Sequence, residues 1–321
     1  MGGDDVLSEV GQVCDAGPFV HPALFYRNTR EYTAGTVPFL LDGIAAGEPV
    51  AVAVPPPRLA LLRTALGPSG AGVRWIDMER AGRNPGRIIP DVLRAFADTH
   101  PDGRVRIVGE PVWPGRTALE YPACAQHEAL INLAFAGRPV TILCPYDAAL
   151  LEASVLAEAR ATHPAVVDGG REERSARYAP RRVVAAHNRL PERPSGVLAF
   201  GFTEPELADA RHIATAEARR LGLDGERLAE FSLAAGELIT NSVLHGGGSG
   251  VVSVWSEGGP DGQVVCEVRD RGHLADPLAG RRPASRDLPH GRGLLMVNRL
   301  ADLVRQRTGG DGTTIRFYMR R

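Results

Sequence analysis

A helical segment that runs into consecutive glycines, residues 228–248, sets the strongest limit on the possible folds of this chain. The apolar positions that recur in it at helical spacing are Leu228, Phe231, Ala235 and Leu238. This spacing predicts an amphipathic helix, and the glycine run 246–248 ends it. Because Glu237 and Asn241 are four residues apart, we expect their side chains on one face of that helix.

The Glu237–Asn241 pair has two interpretations. An amide oxygen suits Mg²⁺, which prefers hard oxygen ligands and keeps several waters, and a neighbouring carboxylate can accept a hydroxyl proton. The alternative is an ordinary helix with a solvated polar stripe, which the pair alone favours. The motifs that follow along the chain decide between the two.

Composition excludes several classes of site. The 37 basic and 38 acidic residues give a net charge of −1, so no basic footprint supports direct nucleic-acid binding. Every basic residue is arginine, which excludes a lysine-containing P-loop, a lysine Schiff base and the strand lysine of eukaryotic-type kinases. Phosphate groups would therefore be held by backbone amides, arginine or metal.

The cysteines and the hydropathy pattern set the expected compartment. Cys14, Cys124, Cys144 and Cys266 are dispersed without a Cys-x-x-Cys pair, which indicates neither a disulfide framework nor a zinc motif. No apolar run approaches the roughly 18 residues of a membrane span, and no leader opens the chain. We expect a cytoplasmic protein that does not engage a membrane.

The first half alternates apolar strands with helices. The predicted strands are 50–54, 73–76, 105–108 and 140–143, and the predicted helices are 59–66, 87–98, 120–136 and 148–160. This order predicts an α/β domain with a mostly parallel sheet and ligands beyond the carboxyl ends of its strands. Three prolines, 55–57, follow the first strand; because proline has no N–H for a phosphate, nucleotide binding is not expected here.

Several motifs in this half carry a resemblance to a known family. They are residues 21–26, 47–50, 109–116, 127–130 and 143–147. Their order resembles the MEDS domain, the methanogen/methylotroph sensory domain, over residues 18–165. The resemblance implies a RecA-like fold without its phosphate loop, and a sensory input whose small-molecule signal it does not name.

The candidates for lining a sensory pocket are His21, Glu110, Trp113 and Cys144. The alternative is that Trp113 and Cys144 belong to the core and His21 is a local cap. His127 precedes an acidic residue, as phosphoacceptor histidines often do. The apolar residues after it instead favour a helix packed on a sheet, and no dimerising helical hairpin is predicted beside the second domain.

A charged stretch bounded by Gly and Pro, residues 166–194, predicts a linker with a short helix near 181–187. The second domain then covers 195–321. Its predicted strands are 197–202, 251–256 and 263–269, followed by a hairpin through 309–312, with helices that open at a Thr203/Glu206 capping box, at Asp224 and at Gly291. Helices grouped against a mixed sheet make this domain α+β.

Four motifs occur in a fixed order in the second domain. Glu-x-x-x-Asn lies on a helix, Asp-x-Gly ends a strand, Gly-x-Gly opens a helix after a loop long enough to act as a lid, and Gly-Thr enters the last strand. Glycines at a helix start let backbone amides reach phosphate oxygens. An aspartate at a strand end can accept a hydrogen bond from the adenine amino group. The ordered set predicts a nucleotide site.

This set resembles the GHKL, or Bergerat-type, ATP-binding fold over 195–321, which gyrase, a heat-shock chaperone, histidine kinases and a mismatch-repair ATPase share. The short lid and the missing phosphoacceptor hairpin are most similar to anti-sigma regulatory factors, which are serine/threonine kinases of the switch-protein type. The resemblance implies that Glu237 is the general base and Asn241 the Mg²⁺ ligand. It assigns the adenine and phosphate contacts of ATP to Asp270, Gly272, Gly291, Arg292, Gly293 and Thr313.

One residue departs from the family pattern, in which the first glycine motif is Asp-x-Gly-x-Gly. Leu274 stands where the second glycine is expected, which stiffens the loop and adds bulk near the base or ribose. We expect reduced ATP affinity or a degenerate binding site.

The sequence therefore predicts a cytoplasmic regulator in which a sensory domain controls an ATP- and Mg²⁺-binding kinase domain. Its expected partner is a sigma factor or an antagonist protein that carries the phosphorylated serine or threonine, and the resemblance implies a homodimer. One alternative is a binding module without catalysis. Another is a sensor histidine kinase.

Overall fold

The computed structural model describes residues 18–259, 262–284 and 292–321. Contacts divide the chain into two compact units. The first unit ends at His187 and does not include Asn84–Arg87. The second unit comprises Asn84–Arg87 and Asn188–Arg321. In these ranges, none of the helices combines the length and the apolar character of a membrane span.

The first unit contains eight strands and seven α-helices among its described residues. The strands are β1 Phe19–Val20, β2 Pro22–Tyr26, β3 Val50–Val54, β4 Arg74–Asp77, β5 Val105–Gly109, β6 Val140–Asp147, β7 Ala165–Asp168 and β8 Arg171–Arg174. The helices are α1 Thr29–Ala45, α2 Pro56–Leu66, α3 Met78–Ala81, α4 Arg94–Ala97, α5 Tyr121–Ala134, α6 Ala153–Thr162 and α7 Pro180–Ala186, with a π-helical turn, Ile88–Leu93, leading into α4.

The sheet of the first unit has the strand order β4-β3-β5-β6-β2-β7-β8, and β1 also pairs with β6. Neighbouring strands run parallel except β7 and β8, which are antiparallel. All five residues of β3 are buried, as expected of a strand covered on both faces. The predicted mostly parallel α/β sheet is confirmed, while the RecA-like assignment stays a prediction.

Residues 166–187, predicted as part of a linker, lie in the first unit. They complete β7 and form β8 and α7. The two strands are joined by Gly169 and Gly170, whose φ angles of 59° and 76° match the two-residue hairpin turns that require positive φ. The chain passes from the first unit to the second between His187 and Asn188.

The second unit is built on an antiparallel sheet. Its strands are β9 Leu198–Thr203, β10 Ser249–Glu257, β11 Gln263–Asp270, β12 Leu303–Gly309 and β13 Gly312–Arg320, and its α-helices are α8 Leu207–Arg220, α9 Gly225–His245 and α10 Arg292–Leu300. The strand order is β12-β13-β11-β10-β9, and every pair is antiparallel. The predicted mixed sheet is therefore wrong. Direct reversals join β10 to β11 and β12 to β13, and none of the described neighbours runs parallel.

The core of the second unit lies between its helices and one face of the sheet. Phe231 and Leu238 of α9 are buried with Val252 of β10, Val264 of β11 and Phe317 of β13. The apolar period of α9 therefore faces the sheet, as its sequence spacing predicted. This leaves the polar positions of the same helix on another side.

A buried ion pair ties β11 to β13. Arg316 is 2% exposed, and its Nη2 donates to Glu267 Oε2 at 2.6 Å from the directly opposite strand position. The guanidinium also lies 4.9 Å from the centre of the Trp255 ring. Because both charges are out of water, each depends on the other.

We expect Glu267→Gln to destabilise the second unit by about 3 kcal/mol, because it leaves the buried Arg316 charge without its counter-charge. Urea unfolding followed by Trp255 fluorescence, in a background carrying Trp75→Phe and Trp113→Phe, measures this. Glu217→Gln is the control, since Glu217 pairs with a mostly exposed arginine and should change stability by less than about 1 kcal/mol. If the two substitutions lowered the free energy of unfolding equally, Glu267 would not be the counter-charge on which the buried Arg316 depends.

Candidate functional site

Helix α9 presents a polar face beside its buried apolar one. Glu237 and Asn241 are both half-buried and lie one helical turn apart, while Leu238 and Ile239 between them are buried in the core. Packing of the apolar face thus fixes the direction of the polar one. The carboxylate and the amide share one face, as the spacing predicted.

The first turn of α10 lies directly against this polar face. A Cβ atom placed on Gly293 would lie 2.4 Å from Glu237 Oε2 and 3.2 Å from Asn241 Nδ2. Any side chain at position 293 would therefore displace the Glu237 carboxylate. Arg292 is the exposed first residue of the helix, and Gly291 lies outside the described residues.

Asp270, the last residue of β11, is held by α9 and by its own loop. Its Oδ2 accepts from Ser242 Oγ at 2.8 Å, and its Oδ1 accepts from the Gly272 N–H at 2.8 Å. A Cβ on Gly246 would lie 2.4 Å from Asp270 Cγ, so glycine at the end of α9 permits this approach. The carboxylate oxygens keep further lone pairs that an outside donor can reach.

Thr313 supports the segment that follows Asp270. It lies opposite Asp270 in the β11–β13 register, and its Oγ1 donates to Gly272 O at 2.9 Å. Thr308 Oγ1 lies 2.9 Å from Thr313 Oγ1 and accepts from the Leu274 N–H at 3.0 Å. The segment from Gly272 to Leu274 is therefore fixed to the last hairpin, and the half-buried Leu274 side chain packs against the core.

Sequence reasoning missed Ser242 and Thr308. Ser242 follows Asn241 directly, but only the packing of α9 against β11 shows that its hydroxyl reaches Asp270. Thr308 is paired with Thr313 in the β12–β13 hairpin. That register follows from the predicted turn, so Thr308 could have been found from the sequence.

The four residues predicted to line a sensory pocket lie in separate surroundings. His21 and Cys144 are adjacent and buried, with Nε2 and Sγ 3.4 Å apart. Glu110 is buried in another cluster, and Trp113 stacks under the Arg116 guanidinium at 3.7 Å from its ring centre. The structure therefore brings together one pair of the four.

A groove of about 610 Å³ in the first unit has none of these four residues in its lining. It lies beyond the carboxyl ends of β2, β6 and β7, where ligands bind in parallel sheets. The charged residues that line it are Arg27, Arg160, Asp168, Glu173, Arg174 and Arg177. Its arginines outnumber its carboxylates, which favours an anionic occupant.

Glu110 follows β5 and is 1% exposed. Tyr26 Oη donates to its Oε1 at 2.8 Å, and Arg58 Nη2 donates to Tyr26 Oη at 3.3 Å. Burial raises the pKa of Glu110 to about 8, although the hydrogen bond from Tyr26 and the charge of Arg58 oppose the rise. Burial and the neighbouring Glu110 also raise the pKa of Tyr26.

The pKa values around His21 are also displaced. Burial, together with the nearby His163, lowers the pKa of His21 to about 4. Burial raises the pKa of the Cys144 thiol well above its usual range. Burial opposes ionisation of Glu128, but His163 and His21 outweigh it and lower the pKa of its carboxyl below the ordinary value.

Two family models match the chain. Residues 20–164 match the MEDS model, described as the MEthanogen/methylotroph, DcmR Sensory domain, and residues 202–319 match the histidine kinase-like ATPase domain. No curated protein matches. Among solved structures, the chain is similar to the crystal structure of the RsbU and RsbW domains of Rv1364c from Mycobacterium tuberculosis. That match has 24% sequence identity and a TM-score of 0.29. It covers 38% of this chain and 32% of the matched chain, so this chain spans about a third of the length of that structure.

We expect the stability of the first unit to fall as pH rises from about 4.5 to about 8, because folded Glu110 holds a proton that the unfolded chain releases. Glu110→Gln should remove this dependence. Above pH 8, the free energy of unfolding of the variant should exceed that of the wild type by on the order of a few kcal/mol. Urea unfolding at several pH values, in a Trp255→Phe background so that Trp75 and Trp113 report, measures it. The exposed Glu173→Gln is the control; a pH dependence that Glu110→Gln leaves unchanged would contradict the assignment.

Proposed function

We propose that this chain, which joins a MEDS sensory domain to a histidine kinase-like ATPase domain, is a signalling regulator whose first domain controls ATP-dependent activity in the second. The observation that carries the proposal is the approach of Gly293 to both Glu237 and Asn241. It places the start of α10 beside an amide and a carboxylate. That combination suits a magnesium-bound triphosphate.

The residues present fit an adenine nucleotide with Mg²⁺. Asn241 would hold the metal through its side-chain oxygen, a hard ligand, and Gly293 leaves the space that a Cβ would fill. At the other end, Asp270 is held rigidly by Ser242 while keeping acceptor capacity for an amino group. When bound, the metal would supply neutralisation of the phosphate charge.

Glu237 is our candidate general base. It lies one helical turn from Asn241, so a hydroxyl positioned near the phosphates would meet a carboxylate able to accept its proton. We propose that this hydroxyl belongs to a serine or threonine of an antagonist protein, and that a sigma factor is the alternative partner. The motif order and the short loop before α10 support this output.

Two other outputs compete with this one. A sensor histidine kinase needs an accessible phosphoacceptor, but His127 is 0% exposed within α5. A binding module without turnover is favoured by Leu274, because its side chain packs on the core where the family pattern has glycine. In that case partner capture alone would be the output.

We expect Mg-ATP to bind the full chain, and Asn241→Ala to weaken binding at least tenfold because it removes the metal's protein ligand. Isothermal titration with Mg-ATP measures both. Thr240→Ala, an exposed neighbour on the same helix, is the matched control and should bind as the wild type does. A wild-type chain that gives no heat with Mg-ATP would leave only partner capture.

We expect Glu237→Gln to retain Mg-ATP binding while phosphate transfer to a partner protein falls by a factor of about 10² to 10⁴, since the amide cannot take up the hydroxyl proton. Incubation with labelled ATP and proteins captured from the native host, followed by phosphoamino-acid analysis, measures the transfer. Phosphoserine or phosphothreonine supports the proposal. Acid-labile phosphate on the chain itself, or transfer undiminished in Glu237→Gln, would contradict it.

A further inference from the structure

Four ligand-bearing side chains from distant parts of the sequence meet inside the first unit. His21 lies between β1 and β2, Glu128 on α5, Cys144 on β6, and His163 directly after α6. Their ligand atoms all lie within 4.8 Å of one another. Each residue is 0% or 1% exposed, so the cluster is shielded from solvent.

The histidines are oriented from outside the cluster. Asn132 Nδ2 donates to Thr162 O at 2.8 Å, which leaves its Oδ1 facing His21 Nδ1 at 3.2 Å. His163 Nδ1 lies 2.8 Å from Ala159 O. Because an amide oxygen and a carbonyl oxygen can only accept, both Nδ1 atoms carry a proton, so each ring in its neutral form presents an Nε2 lone pair inward.

Those lone pairs face a group that also accepts. Glu128 Oε2 lies 3.1 Å from His163 Nε2 and 3.4 Å from His21 Nε2. With both rings neutral, three acceptor atoms converge in a buried space, and the Cys144 thiol, 3.4 Å from His21 Nε2, has a single proton to share among them. Such an arrangement is unfavourable unless a proton or a cation lies among the acceptors.

The geometry points to a transition-metal site at this cluster, with His21, Glu128, Cys144 and His163 as its four protein ligands and Zn²⁺ as the best-fitting ion. Around zinc, bonds of about 2.0–2.3 Å in a tetrahedron separate ligand atoms by roughly 3.3–3.8 Å. Of the six separations, two of 3.4 Å lie within that range and one of 3.1 Å is just below it, and all six are within 4.8 Å.

Charge and chemistry favour the same ion. One carboxylate and one thiolate balance a divalent cation, and two neutral imidazoles complete the set, so the buried site carries no net charge. Metal binding would release the Cys144 thiol proton to solvent, while the other three ligands need lose none. A mixed nitrogen, sulfur and oxygen set suits zinc rather than magnesium or calcium, and four protein ligands describe a closed, structural site.

The site would also explain the hydrogen bonds of Asn132 and Ala159. Histidines that bind a metal through one nitrogen usually donate the other N–H to an oxygen, which fixes the ring and raises ligand basicity. Both histidines show that pattern here. The inference concerns the first unit and does not depend on nucleotide binding in the second.

Metal content and spectroscopy of the full chain test the proposal. Wild-type protein produced with Zn²⁺ should retain about one equivalent after dialysis, and its zinc X-ray absorption should show one sulfur at about 2.3 Å with three nitrogen or oxygen ligands at about 2.0–2.1 Å. Protein produced with Co²⁺ should show thiolate-to-metal charge-transfer absorption. Cys144→Ser should lose that absorption, and Cys124→Ser, at another buried cysteine, should keep it.

Three results would overturn the proposal. One is a folded wild-type chain, by circular dichroism, that retains less than about a tenth of an equivalent of either metal. The second is a metal shell without sulfur in the wild-type spectrum, which decides the question even if Cys144→Ser does not fold. The third is charge-transfer absorption that survives in Cys144→Ser, because it would place the metal elsewhere. In these cases the cluster is a hydrogen-bonded acid–base group that shares protons.

Discussion

The contact between the first turn of α10 and the polar face of α9 is the constraint on which the candidate site depends. It requires glycine at position 293, because the Glu237 carboxylate occupies the space of a Cβ. It also requires that α9 bury its apolar face in the sheet, so that Glu237 and Asn241 point away from the core. The packing of α9 against the sheet therefore fixes the positions of the Glu237 carboxylate and the Asn241 amide. The same helix orients Asp270 through Ser242, which connects both ends of the site.

In the first unit, by contrast with the half-buried polar face of α9, the carboxyl groups of Glu110 and Glu128 are fully buried. This unit places polar clusters at the sheet, around Glu110 and around Glu128, in surroundings where isolated charges are costly. Around Glu110, a tyrosine hydroxyl and an arginine lie close to the carboxyl. Around Glu128, the neighbours are histidines and a thiol. Burial alone favours the neutral form of the first group, whereas the second favours a bound cation. The groove beyond β2, β6 and β7 has neither Glu110 nor Glu128 in its lining.

Much of the second unit could be predicted because its information is local. The Glu237–Asn241 spacing, the glycines and the final hairpin each depend on residues a few positions apart. The antiparallel direction of the sheet was missed, since the order of strands does not fix which of them pair. Likewise, the sequence predicts a linker where β7 and β8 lie, because β8, at an edge, is charged rather than apolar. The consecutive glycines 169 and 170 were the available signal for that hairpin.

The cluster around Glu128 lay beyond sequence reasoning for a different reason. His21, Cys144 and His163 are separated by many residues, and no short spacing marks them as ligands of one ion. The parallel pairing of β2 with β6 brings His21 beside Cys144. The chain returns from α6 to the same sheet at His163. Sequence candidates such as His21 and Cys144 were therefore individually sensible, but their partners Glu128 and His163 were not visible. The sequence groups Glu110 and Trp113 with them because all four lie in the motifs that carry the MEDS resemblance, residues 21–26, 109–116 and 143–147.

We propose that a magnesium nucleotide lies between α9 and the start of α10. Nuclear magnetic resonance of the full chain with Mn²⁺ in place of Mg²⁺ and ATP present tests it directly, since the paramagnetic ion broadens signals of nearby nuclei. We expect the backbone amide signals of Asn241 and Gly293 to broaden first, before that of Gln263, which lies at the opposite end of β11 from Asp270. Signals of Asn241 and Gly293 that remain sharp while others broaden, or no broadening at any concentration of the complex, would contradict it.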